Sequence, residues 1–246
     1  MTHDSYRLLV AGAGGVVGTA LVEYLADTDY SVRALTGSSE NESLLRHRGA
    51  DEVVVGDLFS PRDAAAAVDG VDGVLCAVRS RFRSQFLGRL VVGAGVRNLV
   101  DAADGAGVSY FVLLSTIGVG DSKESRSVPE RLLYRRLLST YDATERYLRD
   151  SGLPFTILRS GRLVRGEQTR EVVAAEGGDT VSGRIRYADQ AWLMVASLTT
   201  PEARNRTFEV VSGASTTADE ETTVDFEWRG PETGLVATRS DYSIPS

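Results

Sequence analysis

Residues 8–18 read Leu8-Leu9-Val10-Ala11-Gly12-Ala13-Gly14-Gly15-Val16-Val17-Gly18. A short apolar run that stops at glycines is the pattern of a buried strand. From Val16 to Ala26 the apolar positions Val17, Leu21, Val22 and Leu25 fall on one face of a helix. The glycines therefore join a strand to a helix. The spacing G-x-G-x-x-G fails here because Val17 stands at its last position, whereas Gly12, Gly15 and Gly18 give G-x-x-G-x-x-G. The physical demands are similar: a sharp turn, close backbone approach to a pyrophosphate, and tight packing of helix on strand. A helix starting at Gly15–Val16 points its free N–H groups and partial positive charge at phosphates. A glycine-rich turn that binds nothing is the ordinary alternative, and the strand–helix series around the loop favours binding.

That series runs on along the chain. Ser31 to Leu35, Val53 to Val55, Val71 to Val78, Tyr110 to Leu114 and Phe155 to Leu158 read as further strands. Helices are expected over Ser43 to Arg48, from Pro61 with Ser60 as its cap, over Gln85 to Ala106, and over Pro129 to Asp150, which Ser151-Gly152 ends. Strands alternating with helices specify an α/β fold, a Rossmann-type doubly wound parallel sheet, here with a small C-terminal appendage. Glu167 to Gly183 is polar and glycine-containing and is expected to form a loop over the active-site end. Ala188 to Leu198 reads as a helix and Thr207 to Val211 as a last strand. The division expected is a dinucleotide-binding unit over residues 1–212 and an acidic, Thr-rich tail over 213–246 that packs on the body or is partly disordered.

Composition narrows the function classes. The chain has 246 residues, a net charge of −7, 42% hydrophobic and 25% charged residues. An acidic total argues against a general nucleic-acid surface but permits a local basic pocket. Cys76, the single cysteine, sits in an apolar strand and reads as core filler. His3 and His47 are too few for a histidine-built metal site, and no metal is expected. No stretch of roughly 18 apolar residues exists, so no membrane association is expected. The expected location is cytoplasmic, and the expected state a monomer or homodimer. Lys123 is the sole lysine, so lysine chemistry has one candidate position.

The end of the second strand bears on the choice of cofactor. An acid there binds a ribose 2′-hydroxyl and repels a 2′-phosphate. The chain instead reads Arg33-Ala34-Leu35-Thr36-Gly37-Ser38-Ser39, with no acid before Glu40. Arg33, Thr36, Gly37 and Ser38 are therefore candidates around the 2′ position, and NADP is expected over NAD. The alternative for Arg33 is a solvent-facing side chain on a strand. Asp57, after the third strand, can accept from an adenine amino group or simply cap a turn.

With these segments in place, the chain resembles the NmrA-like, NAD(P)H-binding group of atypical short-chain dehydrogenases/reductases. The resemblance is carried by Gly12-x-x-Gly15-x-x-Gly18, Val32-Arg33-Ala34-Leu35, Gly56-Asp57-Leu58 and Phe111-Val112-Leu113-Leu114-Ser115-Thr116. It continues through Glu145 to Arg159 and Arg184-Ile185-Arg186-Tyr187-Ala188-Asp189-Gln190-Ala191, covering roughly residues 6 to 212. It implies that Gly12, Gly15, Gly18, Asp57, Ala77, Val78 and Ser115 lie along the cofactor, with Gly14, Val16, Val17, Leu58, Arg79 and Thr116 beside them in the chain as further cofactor-binding candidates. It also implies that Arg159-Ser160-Gly161 passes near the nicotinamide. Two departures stand out. Many NADP-binding relatives have an arginine where this chain has Gly37. Active short-chain dehydrogenases carry a Tyr-x-x-x-Lys helix, but aligning on Glu145 puts Leu137 and Tyr141 at those two positions. Ser115 and Tyr141 remain as catalytic candidates, each with a purely structural alternative. The function expected is NAD(P)H-dependent reduction of a conjugated or carbonyl small molecule. The alternatives are a catalytically silent NAD(P)H-binding regulator or scaffold, or a non-redox isomerase or cyclase.

Overall fold

The computed structural model describes residues 6–80, 86, 88–122, 128–178, 181–213, 217–218 and 222–231. The strands are β1 (Arg7–Ala11), β2 (Ser31–Thr36), β3 (Glu52–Val55), β4 (Gly73–Cys76), β5 (Tyr110–Thr116), β6 (Phe155–Ser160), β7 (Arg162–Val164), β8 (Val172–Ala175), β9 (Val181–Ser182), β10 (Arg184–Arg186), β11 (Arg206–Ser212) and β12 (Thr217–Ala218). The helices are α1 (Val16–Leu25), α2 (Glu42–His47), α3 (Pro61–Val68), α4 (Val96–Gly105), α5 (Val128–Asp150) and α6 (Tyr187–Thr199). Eight strands form one sheet in the order β3-β2-β1-β4-β5-β6-β11-β8. Only β8 runs antiparallel, against β11. β7 pairs with β10 and β9 with β12 in two small ribbons.

The apolar pattern explains the layering. Central parallel strands are covered on both sides and so are apolar at nearly every position. Leu8 and Val10 of β1 face one layer with Leu21, Val22 and Leu25 of α1 and Trp192 to Leu198 of α6. Leu9 and Ala11 face the other, with Ala64 and Ala67 of α3, Leu99 and Val100 of α4, and Tyr141 and Leu148 of α5. Each fully buried Leu or Val contributes about 1.5–3 kcal/mol of transfer free energy, so this two-sided core is the main source of stability. α3 begins as its sequence requires: Ser60 Oγ accepts from Asp63 N at 3.3 Å, and Pro61 occupies the first turn. α5 ends at Gly152, whose φ of +85° suits the left-handed residue after a helix.

Two expectations need correction. Residues 167–183 are not simply a loop over the site, since Val172–Ala175 form β8 on the sheet edge in antiparallel register with β11. Ala174 and Ala175 of this short apolar run are buried there. The segment ahead of it is fixed by Asp189, a fully buried carboxylate that accepts from Thr169 N at 2.6 Å and Arg170 N at 2.8 Å. The helix expected over Gln85 to Ala106 is also shorter. Among the described residues α4 spans Val96–Gly105 and is preceded by a π-turn, Val91–Gly95; residues 81–85 and 87 lie outside the described set. Close packing against α5 accounts for the irregular backbone. A Cβ on Gly93 would lie 2.8 Å from Thr140 Cγ2, and Thr144 Oγ1 donates to Val92 O at 2.7 Å.

Beyond β11, the described residues 222–231 lie against the body. Phe226 and Trp228 stack edgewise on Phe208, with centroids 5.9 and 5.3 Å away, and Arg229 N donates to Thr200 Oγ1 at 2.9 Å. No helix among the described residues is long and apolar enough to cross a membrane.

α5 is tied to the sheet by a buried polar cluster. Glu145 is fully buried and accepts from Arg159 Nη2 at 2.8 Å, Arg149 Nη2 at 2.8 Å and Ser115 Oγ at 2.5 Å. Arg159 also reaches Asp121. Removing one member of a buried pair strands the other charge at a cost of several kcal/mol. Glu145→Ala is therefore expected to lose about 3 kcal/mol in urea unfolding. A variant as stable as the parent would show that Asp121 alone suffices to hold Arg159.

Candidate functional site

The strand order reverses between β1 and β4, where β1 has β2 on one side and β4 on the other. Ligands of open α/β sheets bind at the carboxyl ends of strands flanking such a switch point. A groove of about 690 Å³ opens there. Its walls are Gly12, Gly14, Gly15, Val16 and Val17 from the glycine loop, Thr36, Gly37, Ser38 and Asn41 after β2, Asp57 and Leu58 after β3, and Ala77, Val78 and Arg79 after β4.

The glycines of this loop differ in their reasons. Gly12 has φ +79°, and a Cβ on it would lie 2.9 Å from the Val78 backbone. A Cβ on Gly18 would lie 2.2 Å from Gly12 O, so α1 reaches the end of β1 only with hydrogen at that position. On Gly14 it would lie 2.4 Å from Asn41 Nδ2. Gly15 is different: it is exposed, its backbone is extended, and its Cβ would meet only Gly12 O at 3.3 Å. The fold restricts Gly15 less than these neighbours, since a Cβ there asks Gly12 O to give by only a few tenths of an ångström. α1 starts immediately behind Gly15 with no side-chain cap, leaving its first N–H groups directed at the groove. Bare glycine walls meeting an uncapped helix N-terminus fit a diphosphate.

The sequence-derived candidates divide once placed. Thr36, Gly37 and Ser38 stand at the groove, and Thr36 Oγ1 accepts from Asn41 Nδ2 at 3.0 Å. Asn41 was passed over by the sequence reading; its signal was an amide five residues beyond a strand-end threonine. Asp57 lines the groove while its Oδ1 accepts from Phe59 N at 2.9 Å, so it also stabilises the turn. Arg33 does not belong to the groove. It lies mid-strand, nearly buried, with Nε on Glu52 at 2.6 Å and Nη1 on Ala67 O at 3.1 Å and Asp69 O at 2.6 Å. Its guanidinium ties β2 to β3 and to the end of α3, so the alternative of a solvent-facing side chain also fails.

A second cavity of about 680 Å³ adjoins the groove, with Arg79 and Tyr187 in the walls of both. Thr116, Ser160, Gly161 and Arg162 line it from the sheet side, and Tyr134, Leu137, Leu138 and Tyr141 from α5. Leu137 and Tyr141 thus both face this chamber. Tyr141 is buried, and that burial raises its phenol pKa against the opposing pull of the Arg79 guanidinium, which lies within hydrogen-bonding reach. Ser115 is not on the wall of either cavity. The pleat of β5 sends Thr116 to the chamber and Ser115 to α5, where its hydroxyl is given to Glu145. The Ser160 hydroxyl donates to Ser115 O at 3.1 Å, and Gly161 is small because a Cβ would lie 2.7 Å from Gly183 O. Sequence reasoning missed Tyr134 and Tyr187; Tyr134, two turns before Tyr141, shares its helix face. Lys123 lies outside the described residues.

Cys76 is fully buried, its thiol pushed up to about 12 by desolvation, and is chemically inert. Among the described residues no group of three or more His, Cys, Asp or Glu is placed to hold a metal ion.

Comparison with known proteins agrees with this geometry. The uncharacterized sugar epimerase YhfK of Bacillus subtilis is 28% identical over 219 residues, covering 87% of this chain and 97% of that protein. Sanguinarine reductase of Eschscholzia californica is 26% identical, covering 92% of this chain and 96% of its own length. Among solved structures, a Bacillus halodurans protein provisionally described as an NAD-dependent epimerase/dehydratase superposes with a TM-score of 0.74 at 25% identity, over 85% of this chain and 95% of that one. The NAD(P)H-binding family model matches residues 12–201, from the first glycine of the loop to the turn after α6. The chain therefore belongs to the NAD(P)H-binding family of Rossmann-fold proteins.

Proposed function

We propose that the chain is an NAD(P)H-dependent reductase of a conjugated or carbonyl small molecule, acting without a Tyr-x-x-x-Lys pair. The observation that carries this reading is the shared wall: Arg79 and Tyr187 border both groove and chamber, so a dinucleotide in the groove abuts a separate space of about 680 Å³. The reduced nicotinamide, when bound, supplies a hydride. The glycine loop and the α1 N-terminus hold the diphosphate, and Asp57 is available to the adenine. Thr36, Ser38 and Asn41 surround the ribose end with neutral donors, which accept a 2′-phosphate that a carboxylate would repel. NADP is accordingly the cofactor proposed.

Tyr141 distinguishes reduction from epimerisation. An ordinary phenol is ionised to about one part in a thousand at pH 7, and burial lowers that fraction further. Tyr141 is therefore a hydrogen-bond donor and a poor base. Donation to an acceptor oxygen or nitrogen suits reduction, whereas abstraction of a substrate proton would require the phenolate. Of the two relatives described above, one is named an epimerase and the other a reductase, and the protonated phenol favours the second chemistry here. Conjugated acceptors spread the incoming charge and can take their proton from water, which suits a chamber whose dyad position is leucine.

Three measurements test the reading. Calorimetry is expected to give NADPH about tenfold tighter binding than NADH, the worth of one or two neutral hydrogen bonds; equal or tighter NADH would reverse the assignment. Gly15→Val should abolish NADPH binding while leaving the thermal midpoint near that of the parent, because the fold has room for the side chain and the ligand does not. Gly18→Ala, by contrast, should lower the midpoint outright. Undiminished NADPH binding by Gly15→Val would move the phosphate site elsewhere. With a quinone acceptor, Tyr141→Phe should slow turnover by at most about tenfold, below the effect of a full general acid. A thousandfold loss at unchanged cofactor affinity would make Tyr141 the obligatory acid. Tight NADPH binding with no turnover of quinones, flavins, enones or carbonyls would favour a cofactor-binding regulator instead.

A further inference from the structure

The chamber walls carry more than tyrosines and leucines. Arg79 and Arg162 both line it, and neither has a carboxylate partner among the described residues. Several other arginines of the described residues are paired, as with Arg33 and Glu52, Arg186 and Asp189, or Arg206 and Glu176. The two differ in position. Arg79 also borders the groove, whereas Arg162 borders the chamber alone and lies outside the groove wall. Cofactor phosphates therefore account for Arg79 at most.

Arg162 is held firmly. Gly161 N donates to Val210 O at 2.9 Å and Arg162 N to Gly183 O at 3.0 Å, so the backbone leading into its Cα is bonded. The β7–β10 register sets Arg184 beside Arg162 on the paired strand. The chain as a whole carries −7, so its overall field repels anions and only a local cationic wall can retain one. Glu130 is the one carboxylate on the chamber wall among the described residues, and it is exposed in the first turn of α5.

We propose that the chamber selects planar acceptors bearing a carboxylate, which the Arg162 guanidinium grips at the end away from the cofactor groove while the ring system lies against Tyr134 and Tyr141. Calling the ligand an acceptor rests on the reductase reading; the anion site itself does not. Arginine matches a carboxylate with two parallel N–H donors, which favours this group over a neutral isostere.

The test uses anthraquinone-2-carboxylate and its primary amide, near-isosteres that differ in charge. Both are titrated calorimetrically into the full chain saturated with NADP⁺, so that binding is read without turnover. The acid is expected to bind about tenfold tighter than the amide, the worth of one charge-assisted contact. Arg162→Gln should erase that preference while leaving amide and cofactor affinity unchanged, and Arg162→Lys should keep part of it. If Arg162→Gln fails to fold, the parent still decides: its preference should shrink as salt rises from about 0.05 to 0.5 M, as an exposed ion pair requires. Equal affinity for acid and amide, no binding of either, or a preference that survives Arg162→Gln overturns the proposal. NADPH oxidation with the two quinones is read separately. A charge preference without any turnover would remove the reductase reading and leave the anion site standing.

Discussion

The architecture of the site depends on how closely α1 approaches the end of β1. A Cβ at Gly18 would come within 2.2 Å of Gly12 O, and Gly12 itself turns through a positive φ against the Val78 backbone. With those two positions reduced to hydrogen, the helix begins directly over the strand it follows. Its uncapped first turn then faces the switch point between β1 and β4 instead of solvent. The loops after β2, β3 and β4 open at the same edge because β2 and β4 run parallel beside β1 and β3 runs parallel beside β2. One steric constraint thus places the glycine loop, and the sheet supplies the rest of the groove.

The second level of organisation is the division of polar groups between structure and cavity. Ser115, Glu145, Arg149 and Arg159 satisfy one another beneath α5, and Arg33 is absorbed by Glu52 and the carbonyls ending α3. These groups look functional in a linear reading because serines and arginines often are. Buried charge must find partners or incur a large desolvation cost, and these have found theirs within the fold. What is left facing the chamber is smaller: one buried phenol beside Arg79, further tyrosines at the walls, and Arg162 on its anchored ribbon.

Much was legible in the chain itself. The apolar runs at Leu8–Ala11 and Tyr110–Leu114 have no polar alternation, which already requires strands covered on both faces. The capping of α3 by Ser60 and Pro61 and the stop of α5 at Gly152 are local signals and appeared where they were read. β8 was not legible, because Val172-Val173-Ala174-Ala175 gains strand geometry only from the hydrogen bonds of β11, far off in sequence. The π-turn before α4 was equally hidden, since its cause is the contact of Gly93 with Thr140.

The same distinction separates the parts of the site. By itself the sequence determined the fold class and the glycine loop, because spacing, periodicity and residue identity are properties of a short stretch of chain. Only the tertiary structure decided that Arg33 and Ser115 are structural, that Asn41, Tyr134 and Tyr187 reach the cavities, and that Tyr141 lies beside Arg79. A side chain's role is set by which partner reaches it first, and those partners arrive from strands and helices tens of residues away.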